Sequence, residues 1–135
     1  MNKKSIVFLL FLFFMLIPAF TLMPYLVAPV HAQPSGILHT ETLKITNSQS
    51  VATPAPFQQM INITSGNPLW SYINTTSGYV ASNVVFYYAN GTVIPSWLEN
   101  YFPSHNPPYM LFWIKLAAGI PASGSVIIYM GVGRL

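Results

Sequence analysis

Two glutamates, Glu41 and Glu99, are the only acidic side chains in the 135 residues, and the chain has no aspartate and no cysteine. Cleavage of a glycosidic bond takes two carboxylates about 5–10 Å apart across a cleft, and only this pair could be brought to that task. Glu99, in the run Trp97-Leu98-Glu99, is the better single candidate. Its expected part is structural: pairing with Lys44 or Lys115, or accepting from loop amides. Beyond the N-terminal segment the histidines are His39 and His105. With no cysteine or aspartate beside them, the three or four ligands of a usual metal site cannot be assembled. No G-x-S-x-G nucleophile turn and no glycine-rich phosphate loop occurs. The residue types therefore lead us to expect no catalytic residue, no metal and no cofactor, and hence no enzyme.

What remains is aromatic. Phe, Trp and Tyr make up 15% of the chain, and an aromatic face offers a flat, polarisable surface suited to the apolar side of a pyranose. Trp70, Tyr72, Tyr79 and Tyr101 lie in or beside polar loops and are the expected ligand-surface aromatics. Trp113 stands in the most apolar stretch and is expected in the core. Aromatics at strand positions otherwise pack across neighbouring strands.

Charged residues are only 5% of the sequence, where an average globular domain carries about 25%. Asn2, Lys3 and Lys4 precede an unbroken apolar run from Ile6 to Ile17, and Val30-His31-Ala32 is a small-residue processing site with Gln33 as the mature start. That order is the one a secretory signal peptide takes. Residues 1–32 are read as that signal, or as a membrane anchor if uncleaved, since the span to Val30 is long enough to cross a bilayer. Pro18, Pro24 and Pro29 weaken a continuous helix there and favour cleavage. Beyond the signal, the charges are Glu41, Lys44, Glu99, Lys115 and Arg134, a net +1. No basic patch survives, so a nucleic-acid partner is not expected. Serine, threonine and asparagine supply 27 of the 103 remaining residues. Three acceptor sequons lie among them, at Asn62, Asn74 and Asn90, which are candidates for N-glycosylation in an exported chain.

The elements that must position these side chains read as strands. Residues 33–39 form a linker, and residues 40–135 a single domain. Thr40–Asn47 alternates Leu43 and Ile45 with Lys44 and Thr46. Phe57–Thr64 sets Phe57, Ile61 and Ile63 against Gln58, Met60 and Asn62. Ser48–Pro56 is a loop, and Leu69–Ile73 reads as a short strand. Val84–Tyr88 and Val93–Leu98 flank Asn90-Gly91, whose residues tolerate the positive φ of a type I′ hairpin turn. A two-residue turn would pair Tyr88 with Val93, Phe86 with Pro95 and Val84 with Trp97. Pro95 cannot donate to a ladder, so it should fall at an edge, a bulge or a strand end. Tyr109–Leu116 is apolar on both faces, as a central strand is, and Ser125–Met130 is the last strand. Short strands divided by proline and glycine loops predict an antiparallel β-sandwich, jelly-roll or Ig-like.

Three stretches carry a resemblance. They are Asn83-Val-Val-Phe-Tyr-Tyr-Ala-Asn-Gly-Thr-Val-Ile-Pro-Ser-Trp-Leu-Glu-Asn-Tyr101, Leu111-Phe-Trp-Ile-Lys-Leu116, and Ile120-Pro-Ala-Ser-Gly-Ser-Val-Ile-Ile-Tyr-Met130. Over roughly residues 40–131 the chain resembles an uncharacterised β-rich domain family of exported archaeal and bacterial proteins. Its pattern runs D-[IL]-R-F, D-G-T, W-[IL]-E, W-V-K-[VL] and I-P-A-[SG]-[GS]-T. The resemblance implies a secreted or surface module, often beside lectin-like domains, and carries over no catalytic residue. Asn83 replaces the family's Asp with no Arg before Phe86, and Gly131-Val132-Gly133 replaces a closing Tyr-Tyr-Gly. A C-terminally shortened relative is therefore expected.

The sequence thus points to an exported cell-surface binding or adhesion module, non-catalytic, with carbohydrate or other surface proteins as partners. The alternative is a structural subunit of an envelope layer or filament, self-associating through strand edges.

Overall fold

The computed structural model describes residues 31–134, so the N-terminal apolar segment lies outside the described residues. The body is all-β. Strands β1 (Ile37–Thr46), β2 (Phe57–Thr64), β3 (Val84–Tyr87), β4 (Val93–Ile94), β5 (Ser96–Phe102), β6 (Tyr109–Leu116) and β7 (Ser125–Gly133) form two antiparallel sheets. One has the order β1-β7-β3-β4, the other β2-β6-β5. β1 starts at Ile37 and so takes in the end of the stretch read as linker. β7 continues through Gly131-Val132-Gly133, past the expected end at Met130.

Period-two alternation decides which side chains meet between the sheets. On the four-stranded sheet Phe86, Ile128, Met130 and Val132 point inward; on the other, Ile63, Met110, Phe112, Ile114 and Leu116 do. Phe86 meets Phe112 edge-on, with ring centroids 5.4 Å apart. Each such burial contributes about 1.5–3 kcal/mol, and these residues form one continuous core.

The Asn90-Gly91 hairpin forms, but not with the expected turn. Only Gly91 has positive φ (83°). The Gly91 amide donates to the Tyr88 carbonyl (2.8 Å), and the Tyr88 amide to the Thr92 carbonyl (2.9 Å). This is a three-residue loop closed by a left-handed glycine, not a type I′ turn. The extra loop residue slides the register by one: Tyr87 faces Val93 and Phe86 faces Ile94. The expected pairs Tyr88–Val93, Phe86–Pro95 and Val84–Trp97 are replaced. A one-residue slip exchanges faces, and here it puts Phe86 and Ile94 together in the core, both fully buried.

Pro95 sits at the end of β4, and there the chain leaves the four-stranded sheet. β5 begins one residue later in the other sheet, where the Pro95 carbonyl accepts the Lys115 amide at 2.8 Å. The proline ends pairing on one side while its carbonyl starts pairing on the other.

The expected strand at Leu69–Ile73 is instead a single 3-10 turn, Trp70–Tyr72. The Asn67 side-chain oxygen accepts the Leu69 amide (2.8 Å), and its carbonyl accepts the Trp70 amide (3.0 Å). A side chain that bonds its own following backbone competes with a ladder and winds the chain. Leu69 and Ile73 are both buried by the result.

Candidate functional site

β6 is the middle strand of its sheet and carries apolar residues on both faces. With Met110, Phe112, Ile114 and Leu116 in the core, Leu111, Trp113 and Tyr109 must face outward. The register then builds a grid on the outer face. Met60 pairs with Trp113, which pairs with Trp97; Asn62 pairs with Leu111, which faces Asn100; Thr64 pairs with Tyr109, which pairs with Phe102. Trp97 and Trp113 stack with centroids 6.5 Å apart and planes at 25°. Phe102 and Tyr109 stack at 4.5 Å, and His105 meets Tyr109 edge-on at 4.9 Å. At about 3.3 Å per residue, the stretch from Trp113 to Tyr109 runs roughly 13 Å.

Trp97 and Met60 are each 44% exposed. Leaving such side chains in water forfeits about half of the 1.5–3 kcal/mol that full burial yields. Scattered exposed hydrophobics are ordinary, whereas a contiguous row marks an interaction surface. Lys115 lies at one end of this face, opposite Gln58, and is exposed. The surface is therefore apolar with a polar rim and almost no charge.

On the outer face of the other sheet the chain covers the region around Tyr87 and Tyr129, while Val93 and Ile127 stay exposed. Tyr87 is fully buried there, and its hydroxyl shares a hydrogen bond with the Thr40 hydroxyl (2.9 Å). His31 stacks on Tyr129 at 3.9 Å. Gly131 makes the room: a Cβ there would lie 2.9 Å from Ile37 and 3.0 Å from the Tyr87 ring.

The aromatics singled out from the sequence fare differently. Trp70 and Tyr101 lie near each other, with centroids 6.2 Å apart, and both pack against the core. Both are half-buried. Tyr72, 43% exposed, stacks on His39 at 3.7 Å, and Tyr79 is 67% exposed in a separate loop. The structure does not unite the four. Trp113, expected in the core, lies on the outer face because its strand neighbours Phe112 and Ile114 take the inner one. The pair Trp97–Trp113 was missed; the signal that could have found it is the apolar residue at every position from Tyr109 to Ile114, which forces three of them outward wherever the core lies.

The remaining polar candidates lie apart from the aromatic grid or at its edge. Glu41, on β1, accepts a hydrogen bond from the Asn67 amide, and Glu99 is exposed at the bulge between Leu98 and Asn100 on β5. The two carboxylates sit on different sheets. The His105 ring nitrogen Nδ1 lies 3.1 Å from the Pro107 carbonyl. Asn83, where the resembled family has Asp, accepts the Asn74 amide (2.8 Å) and donates to the carbonyls of Tyr72 (2.8 Å) and Gly133 (3.2 Å). At the expected processing site, the Ala32 amide donates to the Ala89 carbonyl at 2.8 Å, and Ala32 bridges Asn90. Among the described residues, no group of three His, Cys, Asp or Glu comes together as metal ligands would.

No family model matches the chain, and no solved structure matches it. The chain is 35% identical over 91 residues to an uncharacterised protein of Sulfolobus islandicus rod-shaped virus 1. The match covers 67% of this chain and 15% of that protein, so the chain spans a small part of its relative's length.

Proposed function

We propose that the described body is a non-catalytic binding module of an exported, cell-surface protein, that its two sheets form a β-sandwich, and that its ligand is carbohydrate. The observation that carries the reading is the row Met60–Trp113–Trp97: flat, partly exposed, nearly uncharged and rimmed by Asn62, Asn100 and Gln58. Sugar rings stack on such a surface through their apolar faces, and neighbouring amides complete the hydrogen bonding of their hydroxyls. A face with Lys115 as its one cation suits a neutral saccharide better than a nucleic acid, whose affinity rests on several cations. The resemblance to exported surface modules agrees with this assignment.

The test is a glycan array followed by calorimetry on the best ligand. Trp97→Ala should weaken binding by about tenfold or more, equivalent to about 1.4 kcal/mol, with Tm within a few degrees of the parent because Trp97 lies outside the core. Equal binding by parent and variant, or no retained sugar on the whole array, would sink the proposal.

A second reading has its own observation. β2 is an outer strand of eight residues, FQQMINIT, with no charge and no proline, and such an edge is a template for another strand. The edge on the opposite side, β5, is broken by the Glu99 bulge. A structural subunit would assemble through β2. Filaments or sheets in electron micrographs, abolished by Gln59→Pro, are the expected outcome under this reading; a monomer at all concentrations by light scattering counts against it.

A further inference from the structure

The three sequons occupy different settings. The Asn74 side-chain oxygen accepts the Thr76 amide at 2.9 Å while its amide group donates to Ser82 at 3.3 Å. Asn90 is exposed at the hairpin tip, accepting the Thr92 amide at 3.0 Å. Asn62 is exposed on β2, on the outer face of the three-stranded sheet. It stands directly opposite Leu111, two residues from Met60 and diagonal to Trp113. Diagonal neighbours on one face lie about 7–8 Å apart, within the span of the first sugars of an attached chain. Of the three sequons, Asn62 alone belongs to the aromatic grid.

We infer that Asn62 is an N-glycosylation site whose own saccharide lies over Trp113 and Met60, so that modification closes the aromatic face to outside ligands. This rests on the exported, carbohydrate-binding reading and adds regulation to it. The donor is a lipid-linked saccharide phosphate, delivered by a transferase acting on exported chains. The Asn62 amide nitrogen forms a bond to the anomeric carbon, and the carbon–oxygen bond to phosphate breaks. The lipid phosphate leaves with that electron pair, and one amide proton passes to the transferase's base. Thr64 supplies the hydroxyl the acceptor motif requires. A tethered sugar meets the indole at high effective concentration, so even a weak stack holds it there. The apolar row is then shielded from water.

The experiment compares the full chain made in a host with exported N-glycosylation against the same chain made in a host without it. Peptide mapping by mass spectrometry reads Asn62 occupancy, acrylamide quenching reads tryptophan exposure, and calorimetry reads affinity for added oligosaccharide. Trp70 packs against the core and lies outside the aromatic grid, so a change in quenching reports Trp97 and Trp113. Expected are a glycan on Asn62, reduced quenching in the glycosylated form, and affinity lower by about tenfold or more. Asn62→Gln from the glycosylating host should recover the quenching of the unmodified chain. An unmodified Asn62, or an occupied Asn62 with unchanged quenching, overturns the inference while leaving the binding proposal standing. If neither form binds any sugar, the binding proposal fails, and the quenching comparison still decides whether the glycan covers the face.

Discussion

Replacing Gly119 with alanine is expected to lower stability by about 3 kcal/mol, at the upper end of the usual cost of overpacking. A Cβ at this position would lie 2.2 Å from the Thr53 carbonyl oxygen and 2.9 Å from that of Pro54. Both obstacles are backbone, and neither is free to retreat. The Thr53 amide donates to the Ile120 carbonyl at 3.0 Å, and the Thr53 hydroxyl accepts the Ile120 amide at 2.7 Å. The loop between β1 and β2 is thereby clamped onto the turn between β6 and β7. Adding one methyl group must break the clamp or shift Ile120, which is 2% exposed in the core. In a domain near 100 residues, 3 kcal/mol corresponds to a fall in Tm of more than about 10 °C. Thermal unfolding followed by circular dichroism measures it, and a variant melting within about 2 °C of the parent would show that the loop yields to the added methyl group.

A loss of similar size is expected for Asn47→Ala, at the other side of the same junction. Asn47 is a buried polar residue, 6% exposed. Its amide donates to the carbonyls of Val51 (2.8 Å), Pro121 (3.1 Å) and Ile120 (3.2 Å), while its oxygen accepts the Gln49 amide (3.0 Å). Alanine strands the Val51 carbonyl and the Gln49 amide, while the Ile120 and Pro121 carbonyls keep the Thr53 and Gly124 amides; each unsatisfied group costs about 1–3 kcal/mol. Partial access of water to the loop brings the expected total to about 3 kcal/mol. Asn47→Asp separates shape from hydrogen bonding, because it keeps the volume and the acceptor but removes the donor. At neutral pH its carboxylate would face three carbonyl oxygens, so its folded-state pKa is raised above the unfolded value. The destabilisation is then full above the folded pKa and is relieved as pH falls and the carboxyl gains a proton to donate. Urea denaturation of Asn47→Asp should thus show stability recovering between about pH 7 and pH 4. A pH-independent deficit would mean that lost donation is not the cause.

Gly119 and the Thr53 and Pro54 carbonyls it meets lie in stretches that read from sequence as punctuation, while Asn47 closes the first strand run. Ser48–Pro56 is a loop by its prolines, and Ala117–Gly124 is a turn region by its small residues. Nothing local says that the two touch, since contacts some 70 residues apart along the chain are made by folding and leave no periodic trace. The hairpin is an intermediate case. Asn90-Gly91 announces a turn between two apolar runs, yet two- and three-residue loops accept the same dipeptide. What chose between them is the core, which buries Phe86 against Ile94 only in the slipped register.

The outer aromatic face shows the same division most clearly. Aromatics beside polar loops are the natural guess for a binding surface, and Tyr72 and Tyr79 are indeed exposed. Trp70 and Tyr101 fold back onto the core instead, and the contiguous row is built by Trp97 and Trp113, which sit in strands.

The sequence by itself determined the all-β class, the positions of β1, β2, β6 and β7, a turn at Asn90-Gly91, and the absence of cysteine and aspartate chemistry. Alternation, turn propensity and composition are local, and each can be read from a few consecutive residues. Tertiary structure alone decided which face of β6 is the inner one, where the chain changes sheets, and which aromatics stand together. β6 is apolar on both faces, so its pattern has no preferred side. Only its place between β2 and β5, with the second sheet packed on one face, buries Phe112 and leaves half-buried Trp113 beside exposed Trp97 on the outer face.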